Sequence, residues 1–92
     1  MARYRSHNLT LFVMYDNGRG VAQDDTQAVA WYRKAAEQGD ANAQHRLGWM
    51  YENGRGVAQD YSLSMDWYQR AADQSYEDAQ KAISRMYVEG KI

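Results

Sequence analysis

Apolar residues recur at helical spacing along this chain. Ala43, Leu47, Met50 and Tyr51 fall at i, i+4, i+7 and i+8, which places them on one face of a helix, here called helix A. A second set follows helical spacing and makes a wider stripe, as expected for a helix that touches neighbours on two sides, here called helix B. Its members are Ser64, Trp67, Tyr68, Ala71 and Ala72. We expect both faces to be buried.

The sequence that contains these helices is repeated along the chain. The string MYDNGRGVAQD, residues 14–24, returns as MYENGRGVAQD at residues 50–60, and only Asp16 and Glu52 differ. The offset of 36 residues also pairs positions of both helix types: Trp31-Tyr32 with Trp67-Tyr68, Ala35-Ala36 with Ala71-Ala72, Ala43-Gln44 with Ala79-Gln80, and Met50-Tyr51 with Met86-Tyr87. Self-similarity at a fixed period of about 20 to 50 residues is the signature of stacked repeats.

Glycine and aspartate set the predicted helix boundaries, because the chain contains no proline. Gly18 and Gly54 follow helix A and Gly39 follows helix B, where a residue that tolerates positive φ commonly ends a helix. Asp24 and Asp60 stand where helix B begins, and a carboxylate there accepts hydrogen bonds from unpaired backbone N–H groups. The pattern predicts five helices, at about 6–17, 25–38, 41–53, 61–74 and 76–89.

These residues resemble the Sel-1-like repeats, relatives of the tetratricopeptide repeats with a longer loop between helices. The matching stretches are AQHRLGWMYENGRGVAQD (43–60), WYQRAADQ (67–74) and the first copy from Met14 through AVAWYRKAAEQGD, which ends at residue 40. The resemblance implies an all-α fold, a right-handed α-α superhelix of antiparallel helix pairs that serves mainly as an adaptor surface. One domain, 1–92, would then hold a partial copy (about 6–38), a full copy (about 39–74) and a half copy (about 75–92).

The terminal copies depart from this pattern. Phe12 and Ser84 stand where Gly48 provides the small residue of helix A, and Ser75 replaces the helix-ending Gly39. The third copy also lacks a helix B, which leaves an apolar face uncovered, and repeat arrays usually need polar caps. An alternative hypothesis is therefore a self-associating structural piece, a homo-oligomer through the uncovered terminal helix. A fragment of a longer array, including an immunity or regulatory protein that blocks a partner, fits the same observation.

Composition argues against several function classes. The formal net charge of −1 and a pI near 6.0 offer no attraction to nucleic acid or to an anionic membrane. The chain has no Cys, which removes disulfides, thiol catalysis and zinc-thiolate sites. The longest apolar run near the N-terminus, residues 11–15, is too short for a signal peptide or a membrane span. We therefore expect a cytoplasmic protein if the chain is complete as written.

The glycine-rich string has a chemical and a structural interpretation. Glycines beside an Arg can bind phosphate through backbone N–H groups. The dinucleotide fingerprint needs a third glycine, however, and Gln23 and Gln59 occupy that place. The structural interpretation is a tight reversal that Gly18, Gly20, Gly54 and Gly56 permit.

The titratable residues do not form a recognisable catalytic set. His7 and His45 lie on helix A without a second His at i+3 or i+4 to complete a metal pair. The adjacent carboxylates Asp24 and Asp25 are explained by helix capping and the helix dipole. We predict no catalytic residue, no metal site and no cofactor, and hence no enzyme.

Function is expected where the copies disagree, because positions that agree build the scaffold. If helix A lines the concave face, as the family resemblance suggests, Trp49 stands out, since Val13 and Arg85 occupy its place in the other copies. An exposed Trp with a polar rim is typical of an interface anchor; the alternative is that Trp49 widens the core. We predict that a protein or peptide is bound by Asn42, His45, Arg46, Trp49, Asn53, Lys81 and Arg85.

Overall fold

The computed structural model describes residues 24–92, and these form four α-helices and no strand. They are α1 (Asp25–Glu37), α2 (Ala41–Asn53), α3 (Tyr61–Ala72) and α4 (Glu77–Val88). α2 has its predicted bounds, and the other three helices are one or two residues shorter than predicted. The predicted helix at 6–17, together with Gly18 and Gly20, lies outside the described residues. The all-α solenoid class is confirmed.

Aspartate side chains begin three of the four helices. Asp24 and Asp60 each accept a hydrogen bond from the backbone N–H three residues later, at 2.9 and 3.0 Å, as predicted for helix B. Asp40 makes the same bond at 3.1 Å at the start of α2, a cap that the repeat pattern did not predict. α4 begins after Tyr76 without a side-chain cap, and two acidic residues in its first turn suit the helix dipole instead.

A residue with positive φ follows the end of each helix. Gly39 and Gly54 were predicted to do so, and their φ angles are 98° and 66°. Gly90 does the same after α4, at 72°. Ser75, which replaces the glycine after α3, has a φ of 64° and is the one non-glycine residue in this region of φ among residues 24–92. The turn geometry is therefore kept even where the glycine is not.

Each helix packs against the next along the chain, as in a stack of antiparallel helix pairs. The predicted apolar faces of both helix types are buried, with Leu47 of α2 and Tyr68 of α3 fully enclosed. One core cluster joins α1, α2 and Trp67, and a second joins Tyr68 to Ala82 and Met86 of α4. α3 thus contributes to both clusters and holds the stack together.

α2 and α3 approach each other closely at Gly48. A methyl group on Gly48 would lie 2.8 Å from Cδ1 of Tyr68 and 3.1 Å from the backbone oxygen of Ser64. Such a separation is far below ordinary van der Waals contact. The ring of Tyr68 therefore occupies the space that a side chain at position 48 would need.

The loop between α2 and α3 packs onto the helix of the preceding repeat. Arg55 binds Asp25 at the start of α1 through Nε and Nη2, at 2.8 and 3.2 Å. Gly56 has a φ of 75°, and a side chain there would collide with the backbone carbonyl of Asp25. Val57 packs against the core cluster of α1 and α2. The second copy of the glycine-rich string is thus a joint between repeats.

Candidate functional site

A cleft of about 480 Å³ opens between α2 and α4. The two helices provide its walls, and Tyr68 of α3 contributes to its floor. The segment that follows α4 closes one end. The lining residues are His45, Trp49, Glu52, Asn53, Tyr68, Asp78, Lys81, Ala82, Arg85, Glu89 and Lys91.

The carboxylate of Glu52 lies at the base of this cleft and is only 4% exposed. Arg85 donates to it twice, from Nη1 to Oε2 at 2.6 Å and from Nη2 to Oε1 at 2.8 Å. Lys91 Nζ donates to Oε2 at 2.9 Å, and the Tyr68 hydroxyl donates to Oε1 at 2.8 Å. A buried carboxylate is costly unless it is paired, and here both oxygens are fully used.

These bonds shift the protonation equilibria of the groups that make them. The hydrogen bonds from Arg85 lower the pKa of Glu52 to about 2, against the opposing effect of its burial. Burial, followed by the hydrogen bond to Glu52, raises the pKa of Tyr68. A carboxylate with so low a pKa and no unused oxygen is a poor general base near neutral pH. The cluster instead has a structural role, because its hydrogen bonds connect α2 to α3 and α4.

Glu89 extends the cluster towards solvent. It accepts hydrogen bonds from Arg85 at 3.0 Å and from Lys91 at 3.1 Å. The hydrogen bond from Lys91 lowers the pKa of Glu89, which lies on the surface. Arg85 and Lys91 are thereby fixed on two sides, which holds one end of the cleft in a single arrangement.

Trp49 stands in the α2 wall and is 39% exposed. The guanidinium of Arg55 lies 5.5 Å from the centre of its ring, and Arg55 is itself held by Asp25. The side chain of Asn53 donates to the backbone oxygen of Trp49 at 2.9 Å. This exposure favours a surface role for Trp49 over the alternative that it only widens the core.

His45 lies deeper in the cleft, between two tyrosine rings. Its ring centre is 5.5 Å from that of Tyr68 and 5.5 Å from that of Tyr76. Burial lowers the pKa of His45, and the charge of Asp78 opposes that shift. The imidazole is accordingly held in the neutral form near neutral pH and presents an aromatic surface.

The cleft brings together five of the seven predicted binding residues: His45, Trp49, Asn53, Lys81 and Arg85. Asn42 and Arg46 lie on α2 but do not line it. The side chain of Asn42 instead donates to the hydroxyl of Tyr76 at 2.6 Å, which links the start of α2 to the start of α4. Arg46 is exposed on the surface of α2.

Arg85 was predicted as a binding residue, but Glu52, Lys91 and the role of the Tyr68 hydroxyl were missed in the sequence. A signal was present, since Glu52 and Asp16 are the one difference between the two copies of the string and both are acidic. An acid kept at a helix A position suggests a polar partner on a neighbouring element. The pattern gave no means to pair it with Tyr68, Arg85 and Lys91, which come from three different segments.

Other site types find little support in the described part of the chain. Among residues 24–92 no group of three or more His, Asp or Glu side chains is placed to hold a metal ion. Within the same residues, none of the helices has the length and the run of apolar residues that crossing a membrane requires. The inner side of the second glycine-rich loop packs on α1, so it forms no open phosphate cradle there.

Comparison with known proteins places this geometry in context. The sequence pattern of the Sel1 repeat matches residues 11–40 and 41–76. Among solved structures, the chain is similar to a protective antigen present in uropathogenic Escherichia coli strains that displays an SLR fold, with 44% identity over 88% of this chain and a TM-score of 0.82. A comparison with the curated proteins finds no match.

Two further solved structures show the same arrangement. A Sel1 repeat protein from Oxalobacter formigenes is 45% identical over 83% of this chain, with a TM-score of 0.77. Cysteine-rich protein B of Helicobacter pylori is 27% identical over 79% of the chain, with a TM-score of 0.72. The chain spans only part of these proteins, namely 17% of the E. coli antigen and 57% and 55% of the other two.

Proposed function

Because the chain belongs to the Sel1 repeat family, we propose that it is a noncatalytic interaction module that binds a peptide or a protein surface in the cleft between α2 and α4. Proteins of this family are generally protein-interaction modules. The cleft as the binding site, and the residues that act there, are our proposal.

The exposed ring of Trp49 in the cleft wall carries this proposal. Large aromatic side chains are mostly buried in small domains, and Trp and Arg contribute most to hot spots in protein interfaces. Trp49 has no aromatic counterpart in α4, where Arg85 takes its place, so the repeat scaffold does not require it. A Trp retained in an open, polar-rimmed cleft fits a role in contacting a partner.

The rigidity of the cleft supports the same role. The Glu52 carboxylate holds Arg85 and Lys91 in place, and the rings of Tyr68 and Tyr76 enclose His45. A surface that is ordered before binding loses less conformational entropy when a partner docks. The same bonds leave Glu52 without a free oxygen for acid–base chemistry.

The test compares two truncations of equally exposed side chains. Trp49→Ala removes the aromatic anchor from the cleft, and Leu63→Ala removes a side chain on α3 that is also 39% exposed but does not line the cleft. Partners are captured from a lysate of the source organism on the wild-type protein and identified. Their dissociation constants for the wild type and both variants are then measured by surface plasmon resonance.

We expect Trp49→Ala to weaken binding by about 2 kcal/mol, roughly a thirtyfold rise in Kd, as for a hot-spot residue. Leu63→Ala should leave Kd within a factor of about two. Circular dichroism should show the same helix content for all three proteins. Equal affinity of the wild type and Trp49→Ala would show that the cleft is not the binding site.

A further inference from the structure

The side chains that line the cleft differ in whether the protein already uses them. Glu52 and Glu89 each accept hydrogen bonds from both Arg85 and Lys91. These two carboxylates and two cations cancel each other's charge, and the Tyr68 hydroxyl takes part in the same network. The network shapes the cleft and leaves no net charge for a partner to meet.

Lys81 stands apart from this network. It lines the α4 wall and is exposed, and among residues 24–92 its ammonium group makes no hydrogen bond or ion pair. An exposed lysine is ordinary on a protein surface and marks no site by itself. This lysine, however, shares the cleft with Trp49, the exposed aromatic ring of the opposite wall.

The repeat register places Lys81 close to the level of Trp49. Arg85 is the equivalent of Trp49 one repeat later, and Lys81 precedes Arg85 by about one helical turn. At the level of Lys81 the α2 wall carries His45. Burial lowers the pKa of His45, so the imidazole is neutral near neutral pH. The α2 wall therefore offers Lys81 no opposite charge.

Asp78 is the remaining carboxylate of the lining, and it lies further from Trp49 in the repeat register. It precedes Arg85 by about two turns and stands in the first turn of α4, where the helix dipole favours an acidic side chain. The guanidinium of Arg55, which lies 5.5 Å from the centre of the Trp49 ring, is paired with Asp25. The uncompensated charge near the exposed ring is thus that of Lys81, and it repels a basic residue of a partner.

Taking the cleft as the binding site proposed above, we infer that its partner is an acidic segment: an Asp or Glu side chain pairs with Lys81, and an apolar or aromatic side chain beside it packs on Trp49. The carboxylate supplies the ionic partner that Lys81 lacks among residues 24–92. Charge complementarity of this kind selects among partners more than it adds affinity. The contact with Trp49 supplies most of the affinity.

Selection from a phage-displayed library of random linear peptides tests this charge preference. The library is selected in parallel on the wild-type chain, on Lys81→Glu and on Lys34→Glu. Lys34 is the matched control, because it is exposed on α1, does not line the cleft, and its substitution makes the same change in net charge. We expect the wild type and Lys34→Glu to enrich peptides with Asp or Glu near a large apolar residue, and Lys81→Glu to enrich Lys or Arg at that place.

An enriched peptide then gives the strength of the pair. It is synthesised with its acidic residue and with the corresponding amide, Asn or Gln, and Kd is measured by fluorescence anisotropy. The acidic peptide should bind the wild type about fivefold more tightly than the amide peptide, and high salt should reduce this difference. On Lys81→Gln the two peptides should bind within a factor of about two of each other, because the ion pair cannot form. Circular dichroism should show the same helix content for the variants and the wild type.

Selection of basic peptides by the wild type would make Asp78 the anchor and overturn the inference. It would also be overturned if the acidic and amide peptides bound the wild type equally, or if Lys81→Gln kept the preference for the acidic peptide. Trp49→Ala separates this failure from that of the proposed function. Enriched peptides that need Trp49 but ignore position 81 refute only the acidic partner; peptides that ignore both positions, or no enrichment at all, refute the cleft as the binding site as well.

Discussion

At the scale of the residue, Ser75 adopts a strained backbone conformation in a turn that glycine occupies in the preceding repeat. Its equivalent one repeat earlier is Gly39, and both adopt positive φ after a helix of the B type. A residue with a Cβ atom is strained in this conformation by about 1–2 kcal/mol, whereas glycine is not. The backbone N–H of Tyr76 still bonds to the carbonyl of Ala71 at 3.2 Å, as that of Asp40 bonds to Ala35 at 3.2 Å. The hydrogen bonds of the turn thus hold Ser75 in place.

Ser75→Gly should raise the free energy of unfolding by about 0.5–1 kcal/mol, because the strain relieved exceeds the extra entropy that glycine has in the unfolded chain. Urea denaturation followed by circular dichroism measures the change. Ser75→Ala is the control: alanine keeps the Cβ atom and should bring no gain. If glycine and alanine at position 75 gave the same stability, φ would not be the cause.

At the scale of the helices, the contact of α2 with α3 depends on the missing side chain of Gly48. Ser84 holds the equivalent position in α4 and is exposed. The same substitution at these two positions therefore separates helix propensity from helix packing. Alanine is the better helix former at both.

Gly48→Ala should lower the free energy of unfolding by about 1–3 kcal/mol, because the new methyl group forces α3 outward or displaces the ring of Tyr68. This loss outweighs the gain of about 1 kcal/mol from the higher helix propensity of alanine. Ser84→Ala should be neutral or slightly stabilising. Thermal unfolding of the two variants beside the wild type measures both effects. A Gly48→Ala protein as stable as the wild type would mean that the ring yields without cost.

The helices were predictable because their signals are local. Spacing of the apolar residues, Asp24 and Asp60 at the starts, and Gly39 and Gly54 at the ends all lie within one helix or its flanks. The residues of α2 that line the cleft were predicted in part by comparing the repeat copies, which singled out Trp49. The partners of Glu52 were not predictable, because Tyr68, Arg85 and Lys91 come from other segments and only the packed helices bring them together.

At the scale of the whole molecule, the Glu52 cluster connects the last three helices of the described stack. It joins α2, α3, α4 and the segment after α4 through one buried carboxylate. Because the pKa of Glu52 is lowered to about 2 in the folded chain, deprotonation of this group favours folding. That contribution is complete above the unfolded pKa of about 4.5 and is lost as the pH falls towards 2.

Lowering the pH from 6 to 3 should cost the wild type about 2 kcal/mol of stability through Glu52 alone, given 1.36 kcal/mol per pKa unit. Glu52→Gln should be less stable than the wild type at pH 6, because Arg85 and Lys91 lose their buried ionic partner and keep only Glu89. The variant should lose correspondingly less stability on acidification. Urea denaturation at the two pH values measures the difference. Glu37→Gln, which changes an exposed carboxylate, is the control and should show the same pH dependence of stability as the wild type. If Glu52→Gln also showed that pH dependence, the cluster would not be its cause.

The joint formed by Arg55 and Gly56 on Asp25 also limits how a chain of this kind grows or shrinks during evolution. Thirty-six residues later, Lys91 lies over the ring of Tyr61, 5.7 Å from its centre, so the joint recurs with a cation and an aromatic ring in place of an ion pair. A tandem duplication of one full period reproduces both halves of such a joint in register. A duplicated segment that is shorter than one period carries one half of the joint without the other, so we expect units to be added or deleted as whole repeats.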